Sequence, residues 1–171
     1  LVWSTYLGGK AAHGNGEMDT IMSLATDAQG AVTVAGMTSN ADFPTTPGVF
    51  EPVFKAGFLM GNVPNPNAFV SRLSSSGASL VYSTFIGGTS GSEAAGLALD
   101  SAGAATVVGW TNAADFPILP PGGALDPTHN GMRDCFVVRL SPSGSNLVFS
   151  TFLGGTANDS AQAVTLDPGG G

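Results

Sequence analysis

The sequence predicts an all-β protein assembled from repeated four-stranded antiparallel sheets, and three observations predict it. One phrase occurs three times, LVWSTYLGG at 1–9, LVYSTFIGG at 80–88 and LVFSTFLGG at 147–155, followed each time by the same companions in the same order. Hydrophobic residues make up 43% against 10% charged, and the 25 Gly and 11 Pro sit between short apolar runs, the composition of many strands joined by tight corners. No window carries a helical period over a useful length. One repeat cannot bury its own apolar faces, so architecture follows from how the copies stack.

The complete copy from 80 to 146 holds four strand signals. The first is Leu80 to Ile86 and the second Ala95 to Leu99; Ala105 to Thr111 and Cys135 to Leu140 follow. Each is rich in Val, Phe, Leu or Thr and bounded by Gly, Ser, Asn or Pro. Asp100-Ser-Ala-Gly103 and Ser141-Pro-Ser-Gly144 are tight turns, with a side-chain acceptor first and Gly last. Both read as antiparallel hairpins. The other two connections, Gly87 to Ala94 and Asn112 to Asp134, are longer. The strands at 80–86 and 135–140 are apolar on both faces, as in a small sheet covered on both sides.

Four-stranded sheets stacked face to face and repeated radially make a β-propeller. An immunoglobulin-like array needs about seven strands in roughly 100 residues, more than one repeat offers. Naming the strands of a blade a to d from the inside out, the thrice-repeated phrase is strand d and the strand after it opens the next blade. The chain then reads as a lone d strand, two complete blades and a lone a strand, within one region of repeat units 1–79, 80–146 and a partial 147–171. A closed ring needs at least four blades. Two end blades left wet would expose about 500 Å² of apolar surface each, roughly 12 kcal/mol per face at about 25 cal/mol per Å². Two expectations follow: these residues are part of a longer polypeptide carrying further blades, or the chain closes by association with copies of itself or in a larger complex, through exposed strand edges.

The ordered motifs L-V-[WYF]-S-T-[YF]-[LI]-G-G, Asp-x-x-Gly, Asp-Phe-Pro at 42–44 and 115–117, and [AC]-F-V-x-R-L-S-x-S-G resemble the SBBP-type β-propeller repeat of bacterial secreted and surface proteins, over nearly the whole chain. The resemblance implies a propeller fold and an extracellular or cell-surface setting. It implies no definite activity, since propellers host unrelated functions.

Five basic against 12 acidic residues give a net charge of −7, which opposes binding to nucleic acid or anionic lipid, and the sequence holds no cluster of Lys and Arg of the kind both require. No apolar run reaches the length of a membrane span, and no charged-then-apolar signal opens the chain, so any targeting segment is expected upstream or already removed. The sole cysteine, Cys135, stands where the first copy has Ala68 and reads as a small buried thiol.

Because strand direction alternates, the a–b and c–d turns share one rim, and the long, variable connections share the other, where function belongs. The first repeat carries two insertions relative to the second, within Lys10 to Asp19 and within Lys55 to Pro66. The second places Phe54, Phe58, Leu59, Met60 and Val63 in a loop, either as a partner-binding patch for protein or as a flap over the blade end. After each Gly-Gly pair the loop carries acidic residues, Glu17 and Asp19, then Glu93, then Asp159, which could supply some of the six to eight oxygens calcium wants. Their spacing matches no EF-hand or nonapeptide pattern, and such side chains also close turns. Asp42 and Asp115 are expected to accept bonds from loop amides while Phe43 and Phe116 pin the corner. Trp3, Tyr82 and Phe149 share one packing slot. Trp110, aligned with Met37, reads as packing or as a platform for a sugar ring.

His13 and His129 lie in non-equivalent loops, and nothing in the spacing makes a nucleophile–base pair or a metal cluster. The expected function is therefore a non-catalytic extracellular structural or interaction scaffold with no obligatory cofactor. The alternative is an adhesion module that depends on a glycan or on calcium.

Overall fold

A computed structural model describes residues 2–10, 17–55, 57, 64–120, 123–167 and 169. Eight strands run in chain order: β1 Asp19–Thr26, β2 Val32–Thr38, β3 Asn67–Leu73, β4 Leu80–Ile86, β5 Ser92–Leu99, β6 Ala105–Thr111, β7 Asp134–Leu140 and β8 Leu147–Leu153. They form two four-stranded antiparallel sheets in sequence order, β1-β2-β3-β4 (sheet I) and β5-β6-β7-β8 (sheet II), and the described residues contain no helix. The strands at 80–86 and 105–111 have the expected bounds. Strand β5 begins earlier than the apolar run, at Ser92, because Ser92 to Ala94 pair with Thr111 to Gly109 ahead of a bulge. Likewise β7 gains Asp134, opposite Thr111.

Both sheets share one register. Val34, Phe69, Leu73 and Phe85 of sheet I match Val107, Phe136, Leu140 and Phe152 of sheet II, all on the front face. On the back face, Ala35, Ala68, Val70, Tyr82 and Ile86 of sheet I pack against the front face of sheet II to form the larger core. The smaller core gathers Val34, Phe43, Phe69, Leu73 and Phe85 on the far side of sheet I.

The tight turns fall where the sequence puts them. Gly30, Gly77, Gly103 and Gly144 close four-residue turns and all have positive φ, which L side chains rarely adopt. Asp27 and Asp100 each accept from two amides of their own turn through Oδ1. Their Oδ2 atoms pair with Arg72 and Arg139, which extend from β3 and β7. A turn carboxylate thus ties the a–b hairpin to the third strand of the same sheet in both copies.

The outer strand edges are covered. The β2–β3 connection runs along β4, with Thr46 N donating to Ser83 O, Ser83 N to Thr46 Oγ1, and Phe85 N to Glu51 O. The β6–β7 connection does the same for β8 through Leu119 and Ser150, which exchange two bonds, and through Phe152 N to Asp126 O. Edge pairing at β4 and β8 is therefore blocked.

The lone d and a strands expected at the two ends form no ladder among the described residues. Residues 2–10 and 160–167 instead touch the sheets at a few points, with Val2 and Tyr6 fully exposed. Trp3 packs on Gly77 and donates Nε1 to Ser75 O at 3.0 Å, as Tyr82 packs on Gly144. Ala163 and Val164 lie over Gly96 in the middle of β5. Both end segments thus repeat contacts that the two sheets make with each other.

Candidate functional site

Two surfaces stand out once matched positions are compared. Leu97 on β5 is 7% exposed because sheet I covers it, whereas its counterpart Leu24 on β1 is 62% exposed. The pair Ala94 and Ile21 behaves alike, at 0% and 49%. On the opposite side, Ile86 of β4 is fully buried between the sheets, and its counterpart Leu153 of β8 is 52% exposed. Ile21 and Leu24 on the front of sheet I and Leu153 on the back of sheet II are thus open to water at positions whose counterparts are buried between the sheets, while Val34, Phe69 and Phe85 of the same front face are buried in the smaller core.

The loop end is built from recurring fasteners. Asp42 Oδ2 accepts from Lys10 N at 3.0 Å, and Asp115 accepts from Thr89 N at 2.9 Å and from Thr89 Oγ1 at 3.1 Å. Phe43 packs tilted against Phe69, with ring centroids 4.3 Å apart, and Phe116 stacks on Phe136 at 4.7 Å. The Asp-Phe-Pro corner thus binds each Gly-Gly loop to the connection after the second strand, as the sequence predicts. Asp19 Oδ2 and Asp159 Oδ2 accept from the second glycine of their loops, Gly9 N at 2.9 Å and Gly155 N at 2.8 Å, and Asp19 Oδ1 also accepts from Thr38 Oγ1 at 2.5 Å. In the middle copy Ser92 takes that place and bonds to Thr111 Oγ1 at 2.8 Å.

Of the four carboxylates proposed from the sequence for calcium, Asp19 and Asp159 are accordingly loop fasteners, Glu93 lies on β5 opposite Trp110, and Glu17 is half-buried before β1. Among the described residues no group of three or more carboxylate, imidazole or thiol side chains is placed to hold a metal ion. Phe54 packs edge-on against Phe85 at 5.6 Å and belongs to the smaller core. Phe58, Leu59, Met60, Val63 and His13 lie outside the described residues.

Trp110 is half-buried, and the Arg133 guanidinium lies 3.9 Å over its ring, occupying one face. His129 bonds to Thr111 O at 3.3 Å and meets Phe152 edge-on. Cys135 is buried opposite Trp110, and burial pushes its thiol above the ordinary range, with the charges of Asp159 and Asp134 adding to the effect. Buried among apolar neighbours, the thiol fills space as a small packing group.

Asp134 was missed in the sequence reading, which treated it as the boundary of a strand. Its counterpart in sheet I is Asn67, and both side chains are buried at the mouth of the third strand. Asn67 Oδ1 accepts from Lys55 N at 3.1 Å and Nδ2 donates to Gly88 O at 3.2 Å. Asp134 Oδ2 accepts from Asn130 N at 2.7 Å, while Oδ1 has no hydrogen-bond partner among the described residues. An alignment of the two copies shows the Asn-to-Asp exchange. That this carboxylate is buried appears only from the fold.

No family model and no curated protein matches the chain. No helix among the described residues is long and apolar enough to cross a membrane.

Proposed function

We propose that this chain is an arc of a β-propeller of the SBBP repeat type, secreted or displayed at the cell surface, and that it works as a non-catalytic scaffold. Its sheets are blades, and its two open faces take further blades of the same kind, from the same polypeptide or from neighbouring copies. The observation that carries the reading is the contrast at matched positions: Leu97 and Ile86 are buried between the two sheets, while Leu24 and Leu153 lie open. A surface that is already the inner half of an interface in one copy has a defined complement, namely the opposite face of another copy. The placement of Trp3 on Gly77 and of Ala163 on Gly96 supports the same reading, since each end segment sits where an adjoining blade would present its d or a strand.

The test is the denatured intact mass of the native protein beside its mass in the native state. A polypeptide much heavier than the 17.0 kDa of this chain places these residues in one larger ring. A 17.0 kDa chain inside a larger particle means that copies stack on one another. A 17.0 kDa chain that stays monomeric and folded at high concentration overturns the proposal.

A further inference from the structure

We propose that sheet II holds a calcium ion at the mouth of β7, bound by Asp134 Oδ1 and by the main-chain carbonyl oxygens of Gly155 and Ala157. The site differs from the acidic loop residues considered above, and its basis is a comparison of two equivalent corners. In sheet I, Gly87 lies so close to Asn67 that a Cβ there would meet Nδ2 at 2.7 Å, and that Nδ2 donates to the carbonyl of the next glycine, Gly88. In sheet II, a Cβ on Gly154 would meet Asp134 Oδ1 at 2.9 Å, so Oδ1 occupies the place of the amide nitrogen. The next glycine is Gly155. Where sheet I sets a donor against a carbonyl oxygen, sheet II sets a carboxylate oxygen.

A buried carboxylate oxygen facing a carbonyl oxygen is repulsive, a cost normally removed by a positive charge between them. None of the ion pairs among the described residues involves Asp134 or Asp159. The neighbouring basic group, Arg133, is stacked on Trp110. Meanwhile the oxygens converge. The point that a Cβ on Gly131 would occupy lies 2.3 Å from Ala157 O, 3.1 Å from Gly155 O and 3.2 Å from Asp134 Oδ1.

One carboxylate and two carbonyls form a hard oxygen set, and carbonyl-rich loops with irregular spacing suit calcium better than magnesium, which demands a tight octahedron. Gly155 and Ala157 are exposed, so water can complete the shell from the open side. Asn130 N holds the other oxygen, Asp134 Oδ2, and Asp159 Oδ2 holds Gly155 N, so both neighbouring groups keep the loop in place without competing for the ion.

The experiment is calorimetric titration of the chelator-treated protein with calcium chloride, paired with its melting temperature in calcium and in EDTA. The wild-type protein is expected to bind one ion here and to melt roughly 5–10 °C higher at a calcium concentration a hundredfold above Kd. The Asp134→Asn variant restores the donor that Asn67 supplies in sheet I, so it is expected to fold, to melt in EDTA at or above the wild type, and to lose this binding event. Gly131→Ala, which puts a methyl group among the three oxygens without changing any charge, is expected to lose it as well. Absence of calcium binding by the wild type overturns the proposal, as does a response to magnesium but not calcium. Full retention of binding by both variants also overturns it, because the ion would then sit elsewhere.

Discussion

Leu97 and Leu24 occupy one position in two copies of the same sheet and differ in what lies over them, so truncating each to alanine separates the value of the inter-sheet contact from everything else. Leu97 is 7% exposed between the sheets, where a leucine-to-alanine change costs about 3 kcal/mol, transfer and cavity terms together. Leu24 is 62% exposed and has about a third of its surface left to lose, so the same change costs about 1 kcal/mol in the chain by itself. With a urea dependence of about 2 kcal/mol per M, the midpoints fall by roughly 1.5 M and 0.5 M, a difference that equilibrium urea unfolding followed by tryptophan fluorescence resolves. In a preparation where further sheets cover the front of sheet I, Leu24→Ala should cost as much as Leu97→Ala. The reasoning is refuted if the two variants lose equal stability in a preparation shown to contain only the single chain, or if Leu97→Ala stays within 1 kcal/mol of the wild type.

Three further outcomes are expected. Tyr82 is buried with its hydroxyl unpartnered among the described residues, and burial, offset in part by the Arg72 charge, pushes its pKa from 10.0 up to about 12. The folded state therefore favours the neutral phenol: this contribution is complete below pH 10 and lost as pH rises from 10 towards 12. Tyr82→Phe, which copies Phe149, should leave stability at neutral pH unchanged or raised and flatten that alkaline decline in a urea–pH series. For Asp100, burial alone would raise the pKa, but the amides of Ala104 and Ala102 and the hydrogen bond and charge of Arg139 outweigh it and hold the carboxyl below 3.8. Its contribution is complete above that value and lost as pH falls below it, so Asp100→Asn should shrink the acid loss of stability measured between pH 4 and pH 2. Finally, a Cβ on Gly109 would stand 1.8 Å from the Glu93 carbonyl oxygen, as one on Gly36 would stand 1.9 Å from that of Thr20. Because the obstacle is main chain at a bulge, Gly109→Ala should cost about 3 kcal/mol or more by urea unfolding, and a near-neutral result would show that the β5 bulge is free to shift.

Much of the fold was legible in the sequence because the repeat supplies its own alignment. Strand limits at 80–86 and 105–111, the four glycine turns and the Asp-Phe-Pro corner follow from residue types whose local preferences agree with the tertiary structure. The Asp27–Arg72 and Asp100–Arg139 pairs were not read, although both partners recur, since an acidic turn residue is fully explained by its own turn until the third strand is placed beside it. Edge protection was also hidden. Thr46 and Leu119 lie in connections with no strand pattern, and only folding back along β4 and β8 gives them a role. The candidate sites were less legible because an acidic residue in a loop looks the same whether it fastens an amide, as Asp19 and Asp159 do, or keeps a buried oxygen without a hydrogen-bond partner among the described residues, as Asp134 does.

Where two copies share a scaffold, the positions at which they differ carry information that the shared motifs do not. Met37, Asn67 and Ala68 of sheet I become Trp110, Asp134 and Cys135 of sheet II, and the ladder sets these next to one another, with Trp110 opposite Cys135 and Thr111 opposite Asp134. Drift at surface positions has no reason to collect at one corner or to put a carboxylate where burial is complete. An unpaired buried charge costs several kcal/mol and is removed by a single exchange back to asparagine, which the other copy shows the fold accepts. An aspartate there, beside two converging carbonyls and an arginine already committed to a tryptophan ring, fits the calcium site proposed above. The loop end of sheet II is then one place, beside the two insertions of the first repeat, where the copies depart from pure repetition. Calcium binding as proposed would lie at the loop rim and stacking as proposed on the sheet faces, so Asp134→Asn should abolish the first and leave the second intact.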